Sequence, residues 1–331
     1  MRIAFRAEGN HRQGMGDIWG AIALADEFVR SDDEARFFLS GGEEAREVIA
    51  RCGYQAVLVD DLAAELGALQ EYRPDVIVVN KLKNAPTYLQ RIRERCGFLV
   101  TMDDDGAGAG CADLNVNVLY PIPKAVTDPE YIALRREFQM RHAEAKPIRN
   151  VVGELLITQG GSDTHGFTPR IVRALEQMAA RPHCTVVVGP AFRHDNELRE
   201  AVKSSTLDLS IVRNARNMAE VMWHADLAVT AGGLTMFELA CVGTPSLVVC
   251  GERFEVPTAA RLERVGAVIN LGFGGELDYD RLPEMVDRLA ADPSNRSRMS
   301  ACGKEFVDGR GCERIVRLIR ERRAALGGCR S

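Results

Sequence analysis

The sequence predicts two tandem α/β domains, each a parallel sheet wrapped by helices, with a cleft between them. Three observations carry that expectation. The chain of 331 residues is long enough for two cores. Short apolar runs alternate with helical patterns from end to end, as in strands joined by crossover helices. An interval at residues 120–150, holding Pro121, Pro123, Pro129 and Pro147, separates one such series from a second and reads as a linker.

In the first series, strands are predicted over residues 2–6, 35–39, 56–59, 75–80, 98–102 and 114–119. Residues 9–16 form a loop, and residues 17–29 place Ile18, Ile22, Ala25 and Phe28 on one helical face. In the second series, strands are predicted over residues 155–158, 183–188, 208–212, 227–230, 246–249 and 268–271. Helical patterns follow at 279–291, 295–308 and 312–326. Ligands of open parallel sheets sit off the carboxyl ends of the strands, so chemistry is sought in the loops just after them.

Composition narrows the class. Apolar residues make up 46% and charged residues 27%, as in a globular protein. The net charge of −5, with no basic block, argues against a nucleic-acid partner. No stretch approaches the roughly 18 apolar residues of a membrane span. The start, Met1-Arg2-Ile3-Ala4-Phe5-Arg6, lacks the apolar run of a signal peptide. The nine cysteines are scattered without a Cys-x-x-Cys pair and read as reduced thiols of a cytoplasmic protein. The six histidines show no zinc spacing, and no metal is expected.

The most informative stretch is Ala231-Gly232-Gly233-Leu234-Thr235-Met236-Phe237-Glu238-Leu239-Ala240. It follows a predicted strand and opens a helix. Glycines let backbone approach a ligand, and N–H groups at a helix start attract phosphate. Glu238 lies one turn in, within reach of ribose hydroxyls. A plain strand-to-helix turn, with Glu238 complementing the helix dipole, is the competing reading.

This stretch resembles the donor-nucleotide turn of glycosyltransferases with the GT-B fold, especially the MurG-type group. The resemblance extends over most of the chain to the PseG/SpsG-like nucleotide-sugar enzymes, which include UDP-sugar hydrolases of pseudaminic acid synthesis and spore-coat polysaccharide proteins. The shared elements are Gly14-Met15-Gly16, Asp103-Asp104, Asn115-Val116-Asn117, Leu134-Arg135-Arg136-Glu137-Phe138, Gly160-Gly161-Ser162-Asp163, the Gly232 turn and Asp308-Gly309-Arg310-Gly311. The resemblance implies two Rossmann-like domains with parallel sheets facing across a cleft. Residues 1–148 would form the nucleophile side, residues 149–311 the donor side, and a final helix at 312–331 would pack back toward the first domain. It also implies a UDP-sugar as substrate, with Gly232, Gly233, Leu234, Thr235 and Glu238 holding the nucleotide and no cofactor required.

The chain departs from the hydrolase branch where chemistry is done. That branch has His after the second glycine of the first loop; here the residue is Asp17. Its Asp-His-Tyr is Asn80-Lys81-Leu82, and its Asn-Gln pair is replaced by Glu252-Arg253-Phe254-Glu255. Asp17 is either a helix N-cap or a general base that takes a proton from a hydroxyl attacking the anomeric carbon. The loop also resembles the Gly-x-x-Gly-Asp start of antibiotic glycosyltransferases, where an Asp is the base.

Other candidates have a local reading beside the functional one. Asp103-Asp104-Asp105 is a cleft contact, an Asp-x-Asp metal mimic or a solvated acidic turn, and a cleft contact without metal is favoured. Gly161 and Ser162 sit in a second strand-to-helix turn that holds phosphate or merely caps. Arg253 and Glu255 follow the strand at 246–249, where this fold meets the donor sugar, but an ion pair is the simpler account. Gly14, Gly16 and Asn117 are assigned to the sugar or acceptor. Asn115 and Asn117 share one strand face. Arg6, Glu8 and His11 lie near the first loop, and His165, His183 and His224 carry no role.

The function expected is a UDP-sugar-dependent glycosyltransferase of surface or flagellar glycan synthesis, inverting, with Asp17 as base. The alternatives are a hydrolase that releases free sugar and UDP, a non-catalytic nucleotide-sugar binder, and an epimerase on the same fold.

Overall fold

The protein is described by a computed structural model over residues 1–40 and 42–328. It divides into two units, Met1–Arg135 with the chain from Gly309 onward, and Arg136–Asp308.

Unit 1 alternates strand and helix. Its elements are β1 (Arg2–Ala7), α1 (Gly16–Val29), β2 (Glu34–Leu39), α2 (Glu43–Arg51), β3 (Ala56–Leu58), α3 (Leu62–Tyr72), β4 (Val76–Asn80), α4 (Pro86–Arg93), β5 (Phe98–Met102) and β6 (Leu114–Val116). They build a six-stranded sheet in the order β3-β2-β1-β4-β5-β6. β4 and β5 are buried at every residue, which is why Val-Ile-Val-Val-Asn and Phe-Leu-Val-Thr-Met read as continuous rather than alternating runs. On one face Ala4, Phe38, Ile77, Val79 and Leu99 pack with Leu66, Leu69, Leu89 and Ile92 of the helices.

Unit 2 repeats the plan. A short helix, α5 (Arg136–His142), precedes β7 (Glu154–Thr158), α6 (Phe167–Leu175), β8 (His183–Val188), α7 (Asp195–Lys203), β9 (Leu209–Arg213), α8 (Met218–His224), β10 (Leu227–Thr230), α9 (Leu234–Val242), β11 (Ser246–Cys250), α10 (Val256–Arg264) and β12 (Val268–Phe273). Helices α11 (Leu282–Ala290) and α12 (Pro293–Phe306) follow. The sheet order, β12-β11-β10-β7-β8-β9, is the same doubly wound topology as in unit 1. All strand pairs of both sheets are parallel. Arg296, fully buried, ties α12 to the unit by donating to the carbonyls of Leu289, Ala290 and Asn150. The last helix, α13 (Gly311–Gly328), belongs to unit 1: Cys312 Sγ donates to the Leu134 carbonyl, and Arg320 and Arg323 pair with Asp33 and Asp75 at 2.7 and 2.9 Å.

Several bounds differ from the sequence reading, and three of the differences have a cause in the contacts. Residues 136–148 group with unit 2 rather than with the first domain, because Phe138 is buried and Cys241 of α9 donates to its carbonyl. A helix of seven residues with one buried apolar side chain leaves almost no periodic signal. β6 ends at Val116, not at 119, because the Leu119 N–H donates to the Asp103 side chain instead of a ladder. Residues 309–311 fold with unit 1; a Cβ at Gly311 would lie 1.9 Å from the Ile132 oxygen. Among the described residues no helix is long and apolar enough to cross a membrane. The eight described cysteines are free thiols, and Cys329 and the end of the predicted final helix lie outside the described residues.

Candidate active site

In unit 1 the chain order reverses between β1 and β4, so the loops leaving these strands diverge and open a crevice at the carboxyl edge of the sheet. The loop after β1 closes on itself through backbone hydrogen bonds from Asn10 to Gly14 (3.1 Å) and from Gly14 to Asn10 (2.9 Å). Gly16 opens α1, and Asp17 stands in its first turn, half-buried. The cap position is Met15, which supplies no side-chain hydrogen bond, so Asp17 is not the N-cap. Asn80, at the end of β4, holds this turn by donating from Nδ2 to the Asp17 carbonyl at 2.8 Å.

Charge around Asp17 is built in layers. Arg6, buried on β1, donates to Glu65 (3.0 Å), Glu8 (3.1 Å), Ser40 (2.8 Å) and the Ala7 carbonyl (2.9 Å). Glu65 also accepts from the Tyr88 hydroxyl at 2.7 Å. Glu8 in turn accepts from Ser40 at 2.7 Å and Gln13 at 3.1 Å, and pairs with Lys81 at 3.0 Å. Burial alone would raise the Glu8 carboxyl, but Ser40, Lys81 and Arg6 together hold it below the ordinary range. Asp17 goes the other way. Burial raises its carboxyl well above the ordinary range, Asp103 and Glu8 add to the rise, and Lys81 opposes it.

Asp103 follows β5 in a left-handed backbone conformation, φ 50°. Burial lifts its carboxyl to about 7 although the N–H groups of Leu119 and Val118 oppose the rise. Asp17 and Asp103 are therefore two neighbouring carboxyl groups whose proton affinities are both raised, that of Asp17 in part by Asp103.

Asp104 and Asn117 turn inward. Asp104 is fully buried and accepts from the Asn84 N–H (3.2 Å), Asn84 Nδ2 (2.8 Å) and the Gly106 N–H (2.8 Å). Asn117, also fully buried, donates to the Asp104 carbonyl at 2.7 Å. Both side chains are buried in the loop after β5, at positions the sequence reading assigns to sugar or acceptor contacts.

Unit 2 brings both of its glycine turns to the matching position, the reversal between β7 and β10. Ala231 N–H donates to the Thr158 carbonyl at 3.0 Å, joining the two strand ends. Thr235 Oγ1 lies 3.4 Å from where a Gly160 Cβ would stand, so the two turns are neighbours. Gly233 caps α9 with φ 62° and ψ −146° and no side-chain hydrogen bond, leaving Leu234 and Thr235 to open the helix with N–H groups that no side chain caps. Glu238 is mostly buried, 8% exposed, one turn further in. In the other turn, Asp163 accepts from the N–H groups of Phe167 (2.7 Å) and Thr168 (2.8 Å), so it caps α6. Ser162 is buried against Thr164 at 3.2 Å, and the Gly161 carbonyl accepts from Ala191 at 3.0 Å.

The loop after β11 is more self-contained than its sequence suggests. Glu255 accepts from the N–H groups of Gly251 and Glu252 at 2.8 and 3.1 Å and forms a capping box with Glu252. Burial raises its carboxyl to about 7, the N–H donors and His165 opposing. Arg253 is exposed, paired with Glu276 and lying 4.8 Å over the Phe273 ring, a surface arrangement of small energetic weight. His165, given no role from sequence, bonds Glu252 at 3.0 Å and stacks on Phe167. Ser40, Asn80 and Lys81 were also missed, although each ends or directly follows a strand, the position the strand-end rule marks. Glu65 and Tyr88 lie inside helices and gave no such signal. Among the described residues no cluster of three or more His, Cys, Asp or Glu side chains is placed to hold a metal ion.

Comparison with known proteins finds the same fold. Residues 155–310 match the glycosyltransferase family 28 C-terminal domain. The chain is 28% identical over 271 residues to a protein of Methanocaldococcus jannaschii, covering 75% of this chain but 55% of that one, so it spans about half the length of that relative. It is 22% identical over 341 residues to the spore coat polysaccharide biosynthesis protein SpsG of Bacillus subtilis, covering 97% and 98% of the two chains. The spinosyn rhamnosyltransferase SpnG shares the fold at a TM-score of 0.67 and 14% identity, covering 97% of this chain and all of that one. The Anabaena Alr3699/HepE structure, solved in complex with UDP and glucose, does so at 0.61 and 11%, with 97% and 100% covered.

Proposed function

We propose that this chain, similar over almost its whole length to SpsG and matching the glycosyltransferase family 28 C-terminal domain over residues 155–310, transfers a sugar from a UDP-sugar to a hydroxyl acceptor in surface-glycan synthesis, with inversion at the anomeric carbon. Unit 2 holds the donor. The uncapped start of α9 receives the diphosphate, and Glu238 accepts from the ribose hydroxyls. Unit 1 supplies the base. Asp17 takes the proton of the attacking hydroxyl as the new glycosidic bond forms, and UDP leaves with the bonding pair. N–H groups at the α9 turn offset the charge that gathers on the leaving diphosphate.

The observation that carries this reading is the state of Asp17. It stands at the crevice between β1 and β4, outside the cap position, with a proton affinity lifted by burial and by Asp103. A carboxylate so placed is a stronger base than a solvated one. The same half-buried group also serves water, so hydrolysis to free sugar and UDP is the second reading.

The test is UDP release from a panel of UDP-sugars, with and without acceptor sugars, followed by product mass. Release that needs an acceptor and yields a heavier glycoside supports transfer. Release with free sugar alone supports hydrolysis. Silence across the panel with UDP still bound leaves neither and favours a nucleotide-sugar binder.

A further inference from the structure

Glu255 occupies the space a side chain at Gly232 would need. A Cβ built at Gly232 would lie 2.7 Å from Glu255 Oε2, and one at Gly233 3.1 Å from Oε1. The two glycines of the donor turn therefore make room for a carboxyl group of the protein itself as well as for a ligand. The carboxyl is pinned there by the Gly251 and Glu252 N–H groups. Two buried polar atoms beside the joined strand ends have no partner among the described residues: Gln159 Nε2, just after β7, and Thr230 Oγ1, the last residue of β10. Gln159 is 6% exposed and Thr230 is fully buried. Unpaired donors at that depth point to an occupant that supplies acceptors, as a phosphate does.

We propose that Glu255 gates the donor turn: ionised, it holds the space before Gly232 and Gly233 against a nucleoside diphosphate; neutral, it admits the ligand and donates a hydrogen bond to it. This rests on the reading that the turn binds UDP. The groups that face Glu255 are Glu252 on its own loop, His165 from the loop before α6, and the Cys250 thiol at the end of β11. Arg253, the nearest arginine in sequence, is engaged with Glu276. Burial dominates these and places the proton equilibrium at about 7. Above that pH the ionised carboxylate meets a ligand that also carries negative charge, and the two repel. Binding then requires uptake of one proton by Glu255, so affinity falls as pH rises, about tenfold per unit well above the equilibrium point. The ligand's own phosphate ionisation acts alike on any variant and cancels in a ratio.

The experiment is calorimetric titration of the full chain and of Glu255→Gln with UDP from about pH 6 to about pH 8.5. The two proteins bind alike at the acid end, and the variant binds about thirtyfold tighter at the alkaline end. In the unaltered protein, titration near pH 8 in buffers of different ionisation enthalpy shows uptake of about one proton per UDP, a readout that does not need the variant to fold. Parallel affinity curves, or no proton uptake, overturn the gate while leaving the donor-site reading standing. No UDP binding by either protein at any pH overturns both.

Discussion

Asn80 Nδ2 donates to the Asp17 carbonyl at 2.8 Å, so the end of β4 fixes the first turn of α1 from across the crevice. The bond is buried on the Asn80 side, which is 4% exposed. Asn80→Ala removes it and costs about 1 kcal/mol of stability. Turnover falls with UDP affinity unchanged, because the turn that loses its anchor carries the base and not the nucleotide. Parallel measurements of kcat, UDP Kd and Tm check this.

Lys81 and Glu8 pull Asp17 in opposite directions. Lys81 opposes the rise in its proton affinity and Glu8 adds to it. Lys81→Met therefore moves the acid limb of the kcat/KM profile to higher pH, and Glu8→Gln moves it to lower pH. Limbs that move together, or not at all, place the kinetic ionisation elsewhere.

Asp103 gives a stability prediction with a definite sign. Its folded carboxyl titrates at about 7, above the ordinary value of 3.8. A raised carboxyl contributes stability below the unfolded value and loses it as pH rises through the folded one. The wild-type protein thus weakens between these limits. Asp103→Asn keeps an acceptor for Leu119, removes that dependence and raises Tm at alkaline pH by several degrees, at about 2–4 °C per kcal/mol. Thermal melts of both proteins at acid and alkaline pH provide the comparison.

Glu238 and Asp163 separate binding from folding in unit 2. Glu238→Ala raises the UDP Kd about tenfold or more, the loss of roughly 1.4 kcal/mol. Asp163→Ala strips the cap from the Phe167 and Thr168 N–H groups and lowers stability by about 1–2 kcal/mol. Titration with UDP and thermal melts of each variant distinguish the two roles.

The central strands were legible because they are buried on both faces, so β4 and β5 appear as nearly continuous apolar runs, β5 with the bounds predicted. The glycine turns were legible because they punctuate those runs. What the sequence hid is what depends on distant partners. Arg6, Glu65 and Tyr88 form one buried network from a strand and two helices, and no local pattern marks Glu65 as anything but a helix surface residue. Asp104 and Asn117 carried polar residue types that read as ligand contacts, yet both are buried in the loop they build, where Asp104 accepts from Asn84 and Asn117 donates to the Asp104 carbonyl. Glu255 read as a sugar contact, and only the fold shows it against Gly232.

The most direct test of the account is Asp17→Asn, followed by single-turnover consumption of a UDP-sugar substrate together with UDP affinity and Tm. The amide is nearly isosteric but takes no proton, so turnover falls by about 10²–10⁴-fold while Kd and Tm barely move. Turnover that persists, with a protein made markedly less stable, would contradict it and reduce Asp17 to a structural residue of the first turn.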